Sequence, residues 1–68
     1  MKVVSGRELC RVLQKNGWAL LRVHRSHHYY GKEGSEVKLS VPVRGTQSLK
    51  PGLLRSQIKA AGLSEDDL

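Results

Sequence analysis

The stretch Glu36-Val37-Lys38-Leu39-Ser40-Val41 alternates polar and apolar side chains without a break. Such a segment gathers its apolar groups on one side only when it is extended, so it commits the chain to a strand. Val37, Leu39 and Val41 should form the buried face, and Lys38 and Ser40 the wet one. Pro42 has no amide hydrogen to give a ladder and closes the strand. A half-buried strand needs partners beside it and a layer over its apolar face, and the rest of the chain reads as both.

After a short lead-in over residues 1–4, Ser5-Gly6-Arg7-Glu8 has the spacing of a capping box, in which hydroxyl and carboxylate each take a free amide of a helix start. Leu9, Val12 and Leu13 then recur at helical spacing, with Arg7, Arg11, Gln14 and Lys15 as polar partners. Asn16-Gly17 supplies the stop, since glycine accepts the left-handed conformation that helix ends use. A helix is therefore expected over about residues 6–15, with Cys10 packed at its flank. Residues 18–24 are rich in strand-favouring side chains, but their facing is ambiguous: Trp18 and Leu20 fall on one side, Leu21 and Val23 on the other. Arg25-Ser26 reads as a turn and residues 27–32 as a second strand, with His28 and Tyr30 on one face and His27 and Tyr29 on the opposite one. Gly31, Gly34 and Ser35 around Glu33 mark a hairpin turn. Beyond a loop over residues 43–49, Lys50-Pro51-Gly52 opens a second helix, because proline wastes no amide in a first turn. Leu54, Ile58 and Ala61 are its apolar stripe, Leu53 widens it, and Arg55, Gln57 and Lys59 face water. Gly62 caps the end, and Ser64 opens a last short turn through Glu65, Asp66 and Asp67.

The predicted order is helix, three meandering antiparallel strands, helix: an α+β two-layer domain with both helices on one face of the sheet. The other sheet face is left open to solvent and to a partner. With 68 residues the chain, 1–68, is expected to be a single domain. So small a core needs every large apolar residue, and the candidates are Leu9, Leu13, Trp18, Leu20, Leu21, Val37, Leu39, Val41, Leu54 and Ile58. The lone Cys10 excludes an internal disulfide and a cysteine-based metal site, and suits a reducing compartment. The longest unbroken apolar run, residues 18–21, is far too short to span a bilayer, and the N-terminus lacks the apolar core of a signal peptide, so a soluble, cytoplasmic protein with no membrane partner is expected. The net charge of +6 on this small body attracts polyanions, nucleic acid first among them.

Chemistry concentrates in Arg25-Ser26-His27-His28-Tyr29-Tyr30, which sets two imidazoles, a hydroxyl, a guanidinium and two phenols side by side. A metal is the obvious alternative use of the histidines, yet His24, His27 and His28 lack the spacing of zinc motifs and have no acid cluster beside them. No metal and no cofactor are expected. One of Tyr29 and Tyr30 must face inward, so at most one can stack on an unpaired base. Arg7, Arg11 and Lys15 can meet phosphates from the first helix, although such a row is more often simply its wet side.

Taken together, Asn16-Gly17-Trp18, Leu21-Arg22, Ser26-His27-His28-Tyr29-Tyr30, Val41-Pro42-Val43, Leu49-Lys50-Pro51-Gly52-Leu53-Leu54-Arg55 and Ala61-Gly62-Leu63-Ser64 resemble the HicA toxins, small ribonucleases of bacterial toxin–antitoxin pairs. The resemblance runs over nearly the whole chain. It implies a fold similar to double-stranded RNA-binding domains and metal-independent cleavage of mRNA. It also implies neutralisation by a HicB antitoxin that covers the active site. The family motif, Gly-Ser-His-His or Gly-Ser-Asn-His, ends on the catalytic histidine, which falls on His28. The chain departs from it at Arg25, where glycine is usual; the side chain there either adds a phosphate contact or crowds the substrate.

RNA can be cut without a metal when its own 2′-hydroxyl attacks the adjacent phosphate. Imidazole, with an unperturbed pKa of about 6.5, suits the proton transfers, and a cation must steady the phosphate. His28 is the expected proton-transfer group, and Arg25, Ser26, His27, Tyr30, Lys38 and Arg44 are the expected RNA contacts. Ser26 also suits a turn that bonds its own backbone. Two other functions fit the same composition: a non-catalytic RNA-binding module, and an interaction protein that does no more than pair with an antitoxin.

Overall fold

The computed structural model describes residues 3–68, so the first two lead-in residues, Met1 and Lys2, lie outside the described residues. The order is α1 (Gly6–Lys15), β1 (Ala19–His24), β2 (His27–Gly31), β3 (Lys38–Pro42), α2 (Pro51–Ala60) and a 3-10 turn (Glu65–Asp67). The expected α-β-β-β-α order holds.

The capping box at Ser5 is formed in full. The Glu8 amide donates to Ser5 Oγ at 3.2 Å, and the Ser5 amide donates back to the Glu8 carboxylate at 3.5 Å. At the other end Asn16 Nδ2 donates to the Val12 carbonyl at 2.8 Å, and Gly17 takes the left-handed φ of 92°. Leu9 and Leu13 thereby lie on one side of α1, where both are wholly buried. The start of α1 also approaches the end of β3 so closely that only glycine fits at position 6: a Cβ there would overlap the Pro42 carbonyl.

The sheet has the order β1-β2-β3, all antiparallel. Its register sorts the side chains into rows. Val23, His28 and Val41 lie across one row, and Leu20, Tyr30 and Leu39 across the next. Tyr30, Leu39 and Val41 bury against Leu9, Leu13, Leu54 and Ile58 in one core, so this is the helix-covered face. His24, His27 and Pro42, then Arg22, Tyr29 and Ser40, lie across the opposite, open face.

A bulge in β1 between Leu20 and Arg22 settles the facing that the sequence left ambiguous. The extra residue puts Leu20 and Val23 on the helix side, while Leu21 lies against Gly31, in the space a Cβ there would need. β1 nevertheless lies beyond the cover of the helices, and every one of its residues is exposed. Leu20 and Leu21, expected in the core, are therefore 43% and 53% exposed. Val37 is also outside the core, at 41% exposed, because the strand begins one residue later and the Val37 amide is bonded to Ser35 Oγ in the preceding turn. The core instead recruits Val4, Cys10, Tyr30, Leu49 and Ala61. Val4 and Leu49 come in together: the Leu49 amide donates to the Val4 carbonyl at 2.8 Å.

The two rims of the sheet differ. At β3, Gln57 Nε2 of α2 donates to the Ser40 carbonyl at 2.9 Å. Along β1, none of the hydrogen bonds between described residues engages the outward backbone.

Candidate active site

His28 stands where the helix-covered face runs out. Its neighbours in the row, Val23 and Val41, are respectively exposed and wholly buried, and His28 between them is half-buried. The imidazole opens into a cleft between α1 and the β1–β2 hairpin. Arg7, Arg11 and Gln14 line its helical wall. Those positions lie four and three residues apart, so helical geometry stacks them on one ridge, turned toward the sheet rim by the burial of Leu9 and Leu13 beneath. All three are exposed, which leaves their polar ends free to meet a ligand above the imidazole.

The floor of the cleft is Tyr30 with Cys10. Burial pushes the Tyr30 phenol well above its usual range, and its contact with the Cys10 thiol pushes it further. Burial likewise raises the Cys10 thiol. Both groups thus stay protonated at neutral pH, and neither is a base or a nucleophile there. Val43 closes the end of the cleft nearest Pro42, and Leu20 gives it an apolar lip.

Of the expected RNA contacts, Tyr30 alone lines the His28 cleft. Tyr30 is only 2% exposed, so its ring cannot stack on a base; the strand's alternation turns it into the core and leaves Tyr29 on the open face. His27 and Lys38 are also on the open face, with the sheet between them and the His28 cleft. Arg44 is exposed in the loop after β3 and lines a different depression, with Gln47, Lys50 and Leu53. Arg25 and Ser26 form the tight turn between His24 and His27, with Arg25 at φ 57° and the Ser26 carbonyl accepting from the Val43 amide at 2.6 Å. The cations that line the cleft with His28 are Arg7 and Arg11, which the sequence offered only as a row along a helix. The missed signal was joint: their spacing matches Leu9 and Leu13, whose burial must aim the ridge at the same sheet face as His28.

Among the described residues, no three His, Cys, Asp or Glu side chains converge as a metal cluster would. No helix of the described residues is long and apolar enough to cross a membrane. No curated protein matches the chain. A family model described as the HicA toxin of bacterial toxin–antitoxin systems matches residues 6–63 of the 68, from the first residue of α1 to just past the end of α2. That span takes in both helices, the whole sheet and the His28 cleft, and the chain belongs to the HicA toxin family.

Proposed function

We propose that this toxin is an endoribonuclease that cleaves mRNA without a metal, with His28 as its proton-transfer residue. The observation that carries the reading is the half-open imidazole beneath Arg7 and Arg11. In this reading a backbone phosphate sits between the two guanidiniums, which can each give paired N–H donors to its oxygens. His28 takes the proton from the adjacent 2′-hydroxyl. The 2′-oxygen bonds to phosphorus, and the bond from phosphorus to the 5′-oxygen breaks. The imidazolium returns the proton to that leaving oxygen, so the products are a 2′,3′-cyclic phosphate and a 5′-hydroxyl. Tyr30 and Cys10 hold the floor and keep the strand carrying His28 in place. Arg25, Ser26 and Arg44 extend the RNA footprint around the hairpin and the loop that follows β3. The partner that silences the toxin is an antitoxin of the HicB type, and an acidic surface laid over Arg7 and Arg11 would suffice to exclude RNA.

The test is incubation of the purified chain with labelled RNA in chelator. New fragments ending in cyclic phosphate are expected. His28→Ala should reduce cleavage by about 10²–10⁴-fold while leaving the fold intact. Retained cleavage in that variant refutes the assignment. Salt-dependent RNA retention without fragments, from the unaltered chain, would favour the non-catalytic RNA-binding module instead.

A further inference from the structure

The open face of the sheet is a surface that catalysis at His28 leaves unused. The Arg22 guanidinium lies over the Tyr29 ring, 4.7 Å from its centroid. His27 lies beside Tyr29 with ring centroids 6.5 Å apart and planes tilted by 36°. His24, across from His27, and Lys38, at the far end of the sheet, complete the face. No Asp or Glu occurs in any of the three strands.

We infer that this face is a stacking platform for the unpaired bases of an RNA strand whose scissile phosphate lies in the His28 cleft, around the Arg25 hairpin. The inference rests on the reading that the toxin acts on RNA, and adds that the substrate is engaged as a single strand on both faces of the sheet. Aromatic rings on a cationic sheet are how proteins hold unpaired bases, because every base has a π-face and the backbone supplies the charge. Arg22 widens the platform: its guanidinium, lying over Tyr29, can meet a second base or a phosphate. Bases in a duplex are stacked and paired and offer no free π-face to these rings, so the occupant is a single strand. An acidic protein would find charge here but little to bury, since Leu21 and Ala19 are the only aliphatic side chains that β1 and β2 add to this face.

The test uses 2′-O-methyl oligonucleotides of about twelve residues, long enough to span such a platform and unable to be cleaved by 2′-attack. Binding by fluorescence anisotropy is compared for an unstructured single strand, the same strand with abasic positions, and the corresponding duplex. The unaltered chain should bind the single strand about ten-fold more tightly than the abasic strand, and more tightly than the duplex. Tyr29→Leu should remove that ten-fold preference and Tyr29→Phe should keep it. Arg22→Ala, at an exposed site that tolerates truncation, should weaken single-strand binding by about five-fold even if Tyr29→Leu folds poorly. Equal affinity for the base-bearing and abasic strands overturns the proposal, as does a Tyr29→Leu form that folds and keeps the preference. His28→Ala separates the two readings. If it still cleaves ordinary RNA, the nuclease assignment fails while the platform stands on its binding data; if it loses cleavage but keeps the preference, both stand.

Discussion

Substituting alanine for glycine in the first turn of a helix ordinarily stabilises a protein, by lowering the entropy of the unfolded chain and improving helix propensity. The two helices here should answer that substitution with opposite signs. At Gly6 the new methyl would overlap the Pro42 carbonyl oxygen and stand 3.1 Å from its carbonyl carbon and 3.2 Å from Val43 Cα. These are backbone atoms and cannot rotate aside. Ordinary carbon contacts need about 3.5–4.0 Å, and a gap of about 1 Å opened elsewhere forfeits up to half of each contact's attraction. Either α1 lifts off the sheet, loosening Leu9 and Leu13, or the end of β3 retreats with Val41. Overpacking of this kind costs about 2–3 kcal/mol, and the propensity gain of about 0.5–1 kcal/mol offsets part of it. Gly6→Ala should thus lose about 1–2.5 kcal/mol net. At Gly52, in the first turn of α2, an added methyl would meet nothing within 4 Å, so Gly52→Ala should gain about 0.5 kcal/mol. The assay is urea unfolding followed by Trp18, the single tryptophan and 4% exposed, together with far-ultraviolet circular dichroism. With a slope of about 1 kcal/mol per molar for so small a chain, the Gly6→Ala midpoint should fall by about 1–2.5 M. A Gly6→Ala form as stable as the parent, with an unchanged slope, would refute the close approach of α1 to β3.

Other outcomes follow from the same structure. Arg25→Gly should stabilise the chain by about 0.5–1 kcal/mol, since the left-handed conformation costs an L-residue about 1–2 kcal/mol and added unfolded-state freedom returns part of that; a lower melting temperature would count against the strained turn. Arg7→Ala and Arg11→Ala should each weaken RNA cleavage by about ten-fold and reduce the salt slope of RNA binding by about one, whereas unaltered cleavage in both would move the phosphate elsewhere. Tyr30 and Cys10 both have folded-state pKa values raised by burial, so their contribution to stability is complete below their ordinary values and drains away above them. Stability should fall above about pH 9 and more steeply above pH 10, and Tyr30→Phe should flatten the steeper part in urea titrations across that range.

How far the sequence could be read depended on whether a feature is local. The capping box at Ser5, the stop at Gly17 and the alternation through Leu39 and Val41 are written in neighbouring residues, and each element sits within a residue or two of its predicted span. The bulge at Leu21 is not local in that sense: it exists because β1 must match β2 across it, and no composition announces it. Leu20 and Leu21 look like core because nothing local shows that β1 lies beyond the cover of the helices. The cleft is harder still. His28 is legible as a residue, but its partners depend on how α1 is rotated over the sheet. That rotation follows from which side of the helix is buried, and so Arg7 and Arg11 read as solvent decoration until Leu9 and Leu13 are placed beneath them. Tyr30 misleads for the opposite reason: alternation correctly pairs it with His28, but the burial of that face two residues further along the strand is visible only once the helices are in place.

The unequal rims of the sheet limit how this molecule can grow by strand addition. A chain of copies joined head to tail would need β1 of one molecule to dock on β3 of the next, where Gln57 already holds the Ser40 carbonyl. β1 against β1 disturbs no such bond between described residues, and it gives a two-fold arrangement that ends there. Association through β1 alone closes at a pair, whereas an open-ended filament would have to displace the Gln57 bond at the β3 edge.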